Sequence, residues 1–170
     1  MCTLFPEETK GIIEALLFVT NEPLAVKTIA EIIGCTNEEI LYFLGEIRAD
    51  CERERRGYLL QEIAGGYLFI TRAEYAPYLE KLLKPRLNTL TPAALETLAI
   101  IAYQQPVTKS KIDELRGVNS DSALNTLLGR TLITEKGRQD GPGRPILYGT
   151  TPEFLKYLGL KDLRELPPVE

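Results

Sequence analysis

The residues of this sequence with the clearest chemical potential are three cations in one glycine- and proline-rich stretch. Lys136, Arg138 and Arg144 lie between two short runs of β-prone side chains. Lysine and arginine bind phosphate oxygens, so the pattern predicts weak phosphate contact or docking of an acidic partner. Glu135 and Asp140 lie among the cations, and a solvated glycine-rich turn is the alternative interpretation.

Catalytic chemistry has little support in the sequence. The chain contains no histidine, which removes the commonest metal ligand and the commonest general base at neutral pH. Its three cysteines show no CxxC spacing that would indicate a zinc site. Glycine-rich phosphate loops and the GxSxG and HExxH motifs are also missing from the sequence. We therefore predict a protein that is not an enzyme and that uses neither a metal nor a cofactor.

The charge of the chain is acidic and unevenly distributed. Twenty lysine and arginine residues face 24 aspartate and glutamate residues, for a net charge of -4. That sign is unfavourable for a general nucleic-acid-binding protein. Residues 1–84 carry 9 basic and 14 acidic side chains, whereas residues 85–170 carry 11 and 10. Any contact with nucleic acid is therefore expected in the second half.

The composition is typical of a globular cytoplasmic protein. Hydrophobic residues make up 44% of the chain and charged residues 26%, the usual balance of a folded domain. Apolar runs stay well below the ~20 residues that a membrane-spanning helix needs. The N-terminal segment MCTLFPEETK lacks the basic start and apolar core of a signal peptide.

The elements around the three cations predict how they are positioned. Residues 132–134 and 146–148 read as two strands of an antiparallel hairpin, and residues 137–144 form its long tip. Three amphipathic helical patterns precede this hairpin, at residues 92–104, 109–115 and 120–128, and a short one follows at 152–158. Three helices followed by a hairpin with a long basic tip is the order of a winged-helix domain, with the tip as the wing.

The first half of the chain repeats the same order. Helical patterns at residues 7–19, 26–33 and 36–54 precede two strands at 57–63 and 67–71 and a helix that ends at 83. Pro23 and Gly34 match Pro106 and Gly117 at a constant offset of 83 residues, which indicates duplication. We predict a mainly α protein with small β-hairpins (α+β), made of two tandem winged-helix domains at residues 1–84 and 85–170. The linker is expected at residues 84–88, and the C-terminal tail is expected to be mobile.

The third helix of each copy lacks the side chains expected for sequence-specific DNA recognition. In a DNA-binding winged helix this element enters the major groove and offers arginine, lysine, asparagine or glutamine to base edges. The first copy offers Glu38, Glu39 and Glu46 instead, and phosphates would repel them. The second copy has a single cation there, Arg130.

The third helix of the first copy also carries more apolar residues than one core face requires. Residues 40–44 are five consecutive large apolar side chains, and a core stripe at i, i+3, i+4 and i+7 needs only Ile40, Phe43 and Leu44 of them, together with Ile47. Leu41 and Tyr42 are left pointing outward, next to Gly45. Such a patch indicates a dimer or partner interface, unless the N-terminal arm or the hairpin covers it.

Residues 90–133 and 143–167, the latter beginning GRPILYGTTPEFLKYLGL, closely resemble the segregation and condensation protein B family. The resemblance covers essentially the whole chain and is most specific in its second half. It implies two winged-helix domains and a homodimer formed mainly through the N-terminal one. It further implies binding to the central part of a kleisin subunit, segregation and condensation protein A, which bridges the ATPase heads of an SMC protein. No catalysis and no cofactor are implied, and the protein would act at the nucleoid.

The resemblance suggests roles for particular residues. Leu41, Tyr42 and Gly45 are the candidates for the dimer interface. The candidates for the kleisin contact lie in the second domain, and Tyr148 among them is equally compatible with a core position. They are Tyr103, Gln104, Arg144 and Tyr148. The alternative function is a tandem winged-helix transcription regulator, which would bind duplex DNA through Lys136, Arg138 and Arg144 in a salt-sensitive manner.

Overall fold

The computed structural model describes residues 5–83 and 89–168, which fold into α-helices with two small antiparallel sheets. The predicted fold class is confirmed. The chain divides into two compact units, unit 1 (residues 1–85) and unit 2 (residues 86–170). The predicted linker at residues 84–88 lies outside the described residues. Within the described ranges, no helix is long and apolar enough to cross a bilayer.

Unit 1 has the predicted order of three helices followed by a hairpin. The helices are α1 (Pro6–Val19), α2 (Val26–Ile33) and α3 (Asn37–Arg53). The strands β1 (Tyr58–Ile63) and β2 (Gly66–Thr71) follow, and a 3-10 turn at Ala73–Tyr75 leads into α4 (Ala76–Leu83).

The beginning of α3 is fixed by side-chain hydrogen bonds that the sequence encodes. The Thr36 hydroxyl accepts from the backbone N–H of Glu39 at 3.2 Å, and the Glu39 carboxylate accepts from the N–H of Thr36 at 2.9 Å. This reciprocal capping satisfies two donors that a helix start leaves open. Just before it, Gly34 ends α2 with a φ of 80°, a conformation that glycine adopts without steric cost.

The hairpin of unit 1 is tied to the segment between α1 and α2. Leu24 and Tyr67 exchange two backbone hydrogen bonds, of 2.9 and 2.8 Å. The contact is so close that a Cβ on Gly66 would lie 2.9 Å from the carbonyl carbons of Pro23 and Leu24. Glycine is therefore the residue that fits at the start of β2. The core beneath is formed by α1, α2, α3 and β1 and comprises Ile13, Leu17, Ile29, Ala30, Ile40, Phe43, Leu44, Ile47, Cys51 and Leu60.

Unit 2 repeats the order of elements in unit 1 and adds a short strand after its first helix and a 3-10 turn after its last helix. Its helices are α5 (Pro92–Gln104), α6 (Lys109–Arg116), α7 (Asp121–Gly129) and α8 (Pro152–Leu158). Its strands are β3 (Val107–Thr108), β4 (Ile133–Arg138) and β5 (Ile146–Thr150), joined in the order β3-β5-β4. The two-residue strand β3 was not predicted, and it adds a third strand to the hairpin by pairing Val107 with Tyr148. A 3-10 turn at Leu163–Glu165 follows α8.

The core of unit 2 combines the apolar faces of its helices with the inner face of its sheet. A buried polar contact lies beside it, because the Gln105 side-chain oxygen accepts from the backbone N–H and the hydroxyl of Thr150 at 2.7 and 3.0 Å. The buried apolar residues are Leu90, Ala94, Leu98, Ile101, Ala102, Val107, Ile112, Ala123, Leu124, Leu127, Leu132, Ile133, Tyr148 and Phe154.

A polar network fixes α6 against the start of α7. The Asp113 carboxylate accepts hydrogen bonds from the backbone N–H and the hydroxyl of Ser120, which is fully buried. Lys109 forms ion pairs with Asp113 at 3.0 Å and with Asp121 at 3.1 Å. These contacts lower the pKa of Asp113, mainly through Ser120 and then Lys109. The pKa of Lys109 is raised, mainly by its hydrogen bonds to Asp113 and Asp121.

We expect acid to weaken unit 2 through Asp113. A carboxyl group whose pKa is lowered by folding stabilises the folded state above its unfolded pKa, and this contribution is lost as the pH falls through the folded value. Asp113→Asn should therefore reduce stability at neutral pH and flatten the decline between about pH 5 and pH 2. Urea unfolding followed by NMR signals of unit 2 measures both effects. Ser122→Ala, on the neighbouring helix α7 and with no carboxylate removed, is the control and should keep the wild-type pH profile.

Candidate interaction surfaces

The outer face of α3 in unit 1 exposes the apolar patch that the sequence predicts. Ile40, Leu44 and Ile47 are buried on the inner face, as expected from their spacing. Leu41 and Tyr42 remain 48% and 64% exposed on the outer face. The described part of the chain therefore does not cover the patch.

Gly45 leaves open space beside the patch. A Cβ at this position would meet no atom within 4 Å, so packing within unit 1 does not require glycine there. Glycine in a helix interior is unfavourable compared with alanine. Its presence is consistent with close approach of another backbone at this face.

The cations near α3 are engaged within unit 1. Arg48 donates to the backbone oxygen of Leu60 at 3.3 Å and lies over the ring of Tyr67. Arg53 is paired with Asp50. Together with the exposed Glu38 and Glu46, these contacts make the helix unsuited to phosphate binding.

The wing of unit 2 is a hydrogen-bonded loop that exposes its arginine side chains, in contrast to the paired cations near α3. Backbone bonds from Gln139 to Pro145 and from Arg144 to Gly141 close the loop. Arg138 and Arg144 are exposed at the tip, where the Arg138 guanidinium donates to the backbone oxygen of Arg144 at 3.1 Å. The Arg144 backbone has a φ of 39°.

Lys136 lies against the sheet rather than at the tip. Its aliphatic chain occupies the space beside Gly149, where a Cβ would be 2.8 Å from the lysine Cγ. The structure therefore joins Arg138 and Arg144 at the tip and packs the stem of Lys136 beside Gly149.

Tyr148 lies in the core of unit 2, which is the alternative that the sequence left open. It is buried and belongs to the same cluster as Val107 and Ile133. Burial is the main cause that raises the pKa of its hydroxyl. We therefore remove Tyr148 from the candidate contact residues.

Tyr103 and Gln104 reach two different environments at the end of α5. Gln104 is exposed and lines a cleft of about 610 Å³ together with Val107, Lys111, Gln139 and Leu147. One wall of this cleft therefore comes from the wing loop. Tyr103 is partly exposed, and its hydroxyl donates to the backbone oxygen of Pro167 at 2.6 Å.

The C-terminal tail is more ordered than the sequence predicts. Leu166 packs against the unit 2 core, and Asp162 caps the 3-10 turn by accepting from the backbone N–H of Arg164 at 2.8 Å. Hydrogen bonds from the Arg164 guanidinium and backbone lower the pKa of Asp162 to about 2. Apolar burial and these polar contacts therefore fix the tail as far as residue 168, which differs from the expected mobile tail.

One surface was missed by the sequence analysis, a groove between α1 and the hairpin of unit 1. Gly11, Ala15 and Phe18 line it from α1, and Tyr58 and Phe69 line it from the hairpin. The spacing of Gly11, Ala15 and Phe18 at i, i+4 and i+7 places them on one helix face. This pattern of two small residues and an exposed aromatic ring was the available signal.

The described residues contain no metal centre. Among residues 5–83 and 89–168, no group of three or more cysteine, aspartate or glutamate side chains is arranged to hold an ion.

Comparisons with known proteins identify relatives over the whole chain. The family model for segregation and condensation complex subunit ScpB matches residues 11–169. Segregation and condensation protein B of Symbiobacterium thermophilum is 55% identical over 161 residues, which are 95% of this chain and 74% of that protein. The protein of the same name from Geobacillus kaustophilus is 52% identical over 166 residues, 96% of this chain and 76% of that protein. A solved structure, the dimer of a ScpB N-terminal domain complexed with a ScpA peptide, is 40% identical, covers 45% of this chain and 95% of that chain, and gives a TM-score of 0.43.

We expect Tyr103→Phe to loosen the tail without disturbing the core. The substitution keeps the ring and removes only the hydrogen bond to Pro167, which is worth about 0.5–1.5 kcal/mol. Amide exchange in residues 160–168 should become faster by up to about tenfold. Tyr157→Phe, on α8, is the matched control. Unchanged exchange in the tail of the Tyr103 variant would show that apolar contacts alone hold it.

Proposed function

Because this chain belongs to the segregation and condensation complex subunit ScpB family, we propose that it is a non-catalytic subunit of the SMC–kleisin condensation complex. In this role it is a homodimer that binds the kleisin subunit, acts in the cytoplasm at the nucleoid and supports chromosome condensation and segregation. The observation that carries the proposal is the outer face of α3. The helix that would read DNA in a winged-helix regulator instead presents Leu41 and Tyr42 among glutamates.

The homodimer uses the α3 patch of unit 1. Leu41 and Tyr42 supply apolar and aromatic surface of the kind that is enriched in interface cores. Gly45 lets the facing backbone come close. A two-fold dimer needs one self-complementary patch, and two exposed apolar side chains beside an open glycine can meet their own copies.

The kleisin contact uses unit 2. Gln104 supplies amide donors and acceptors at the cleft beside the wing, and Arg144 supplies an exposed cation at the wing tip. Tyr103 contributes the exposed part of its ring next to the tail. These side chains suit a polar, partly acidic peptide segment.

The second candidate function is a tandem winged-helix transcription regulator. The exposed cations Arg138 and Arg144 favour it, because wing cations can contact phosphates. The acidic α3 opposes it, and α7 begins with Asp121.

The dimer is tested with Leu41→Glu combined with Tyr42→Glu. Four carboxylates brought to one interface remove apolar contact and repel one another, so the mass measured by light scattering should fall from that of two chains to that of one. The circular dichroism spectrum should not change, since both side chains are exposed. Tyr157→Glu with Leu158→Glu, which alters an exposed apolar pair in unit 2, is the control and should remain dimeric. If the α3 variant keeps its dimer mass, the patch is not the interface.

The kleisin contact is tested by mixing the full chain with its cognate kleisin subunit. We expect a stable, stoichiometric complex by light scattering and about tenfold weaker binding for Gln104→Ala combined with Arg144→Ala. Glu153→Gln, exposed on α8, should bind like the wild type. A monomer that ignores the kleisin yet retards duplex DNA at low salt would instead support the regulator.

A further inference from the structure

We propose that a polar cleft at the end of α3 in unit 1 binds a small zwitterion of the amino-acid class, which carries a carboxylate and an ammonium group side by side. The cleft lies between the C-terminal end of α3 and the 3-10 turn that precedes α4. Its lining residues are Glu52, Arg55, Arg72, Glu74 and Tyr75. The site lies at the other end of α3 from the apolar patch, and it does not depend on the proposed function.

The cleft has the size and lining of a site for a small polar molecule. It encloses about 430 Å³, a volume within the range of about 300–1,000 Å³ that ligand sites occupy. Four of its five lining residues carry a charged group, and the fifth carries a phenol hydroxyl. Binding in this cleft therefore depends on hydrogen bonds and ion pairs.

Arg55 holds a backbone conformation that is unfavourable for its residue type. Its φ is 48°, in the left-handed region that a Cβ atom disfavours. Three other helices of the chain, α2, α6 and α8, end on a glycine in this region. The helix dipole does not explain the arginine, because Arg53 already places a cation in the last turn of α3. The arginine at position 55 therefore points to a role of its side chain outside the fold.

The guanidinium of Arg55 is available to a ligand. Arg55 is exposed, and its side chain forms no hydrogen bond or ion pair within residues 5–83 and 89–168. A guanidinium carries five N–H donors in a planar fork that matches a carboxylate. Arg55 can therefore supply the anion-binding group of the cleft.

Arg72 supplies a second guanidinium whose position is fixed. Its Nε donates to the backbone oxygen of Arg56 at 2.7 Å, and its Nη2 donates to that of Cys51 at 3.1 Å. The same Nη2 pairs with the Glu52 carboxylate at 3.2 Å. Nη1 has no partner in the described part of the chain, so its two N–H groups remain for a ligand. A group held in this way loses little conformational freedom on binding.

Tyr75 and Glu74 add a hydroxyl and a carboxylate from the turn that begins after Arg72. The backbone N–H of Tyr75 donates to the oxygen of Arg72 at 3.0 Å. The Tyr75 ring lies over Gly57, where a Cβ would be 3.9 Å from the ring Cε2. Neither the Tyr75 hydroxyl nor the Glu74 carboxylate has a partner among the described residues. The cleft therefore offers unpaired groups of both kinds, donors and one carboxylate.

The balance of charge selects a ligand that carries both signs. Glu52 neutralises Arg72 by pairing with it, and Glu74 offsets Arg55. A simple anion such as phosphate would be attracted by Arg55 and repelled by Glu74. A zwitterion places its carboxylate on the guanidinium groups, in charge-assisted hydrogen bonds, and its ammonium group on Glu74.

A small molecule suits this cleft better than a segment of a partner protein. Arg53 and Glu54 adjoin the cleft in the sequence, and both are exposed. The buried centre of a protein interface is depleted of charged residues, whereas a small ligand leaves these side chains in water. The α-carboxylate and α-ammonium groups of an amino acid share one carbon, so both can enter the same cleft.

The test follows amide NMR signals of residues 52–57 and 72–75 in the full chain during titration with L-glutamine. We expect saturable shifts, and at least about tenfold weaker binding of acetate or methylammonium, each of which offers only one of the two charges. Arg55→Gln should weaken binding of L-glutamine by a similar factor. Arg53→Gln is the matched control, because Arg53 pairs with Asp50 and does not line the cleft. It should bind within about twofold of the wild type.

Arg55→Gly separates ligand binding from folding. Glycine adopts a positive φ without steric cost, so this variant should unfold at a higher urea concentration than the wild type. It should nevertheless bind L-glutamine as weakly as Arg55→Gln. Weaker binding by a variant that is more stable cannot result from damage to the fold.

Each binding outcome decides the inference. Tighter binding of L-glutamine than of acetate, lost in both Arg55 variants and kept in Arg53→Gln, supports it. If acetate or inorganic phosphate binds as tightly as L-glutamine, the cleft is a simple anion site and the inference is wrong. Equal binding by the wild type and Arg55→Gln, or no saturable shift with any of these probes, overturns the site. The proposed function is unaffected by these results, because it involves other surfaces.

Discussion

The folding of both units depends on one backbone interaction. In each unit a proline follows the first helix, and the residue after this proline pairs with the second strand of the hairpin. In unit 1 this pair is Leu24 with Tyr67, and in unit 2 it is Val107 with Tyr148. Leu24 and Val107 are separated by 83 residues, the offset that relates the two copies. The pairing fixes the hairpin against the segment that follows the first helix. In unit 1 the two backbones are so close that only glycine fits at position 66. The cores form beneath hairpins held in this way.

The same packing determines which residues remain for partners. The inner face of α3 already uses Ile40, Phe43, Leu44 and Ile47. Helical geometry then places Leu41 and Tyr42 outside, whatever their hydrophobicity. The apolar patch is therefore a direct consequence of a full core stripe, and surplus apolar residues on such a helix are evidence of binding rather than of stability.

Much of the fold could be predicted from local sequence signals. Contacts between residues far apart in the sequence could not be predicted. The helix starts at Thr36 and Thr91 and the stop at Gly34 follow from capping chemistry between residues a few positions apart. Strand β3 has only two residues and shows no periodicity. The contact of Tyr103 with Pro167 joins residues 64 positions apart. The groove likewise needs α1 and the hairpin to be packed together before it exists. For Tyr148 the sequence left the core and surface alternatives open, because strand alternation does not say which face is buried.

Comparison of the two copies at their common offset shows that they share part of the core, whereas other positions differ in burial: the exposed Leu41 corresponds to the buried Leu124. Ile40 and Leu44 of α3 correspond to Ala123 and Leu127 of α7, and all four are buried. The exposed Tyr42 corresponds to the exposed Asn125, whereas the open Gly45 corresponds to Leu128, which packs against the unit 2 core. An aromatic ring and a glycine notch are thus present in one copy only. At these positions the residue of unit 2 either contributes to its core or is polar, whereas the third helix of unit 1 exposes an aromatic ring beside an open glycine, which is why the proposed apolar contact is assigned to unit 1.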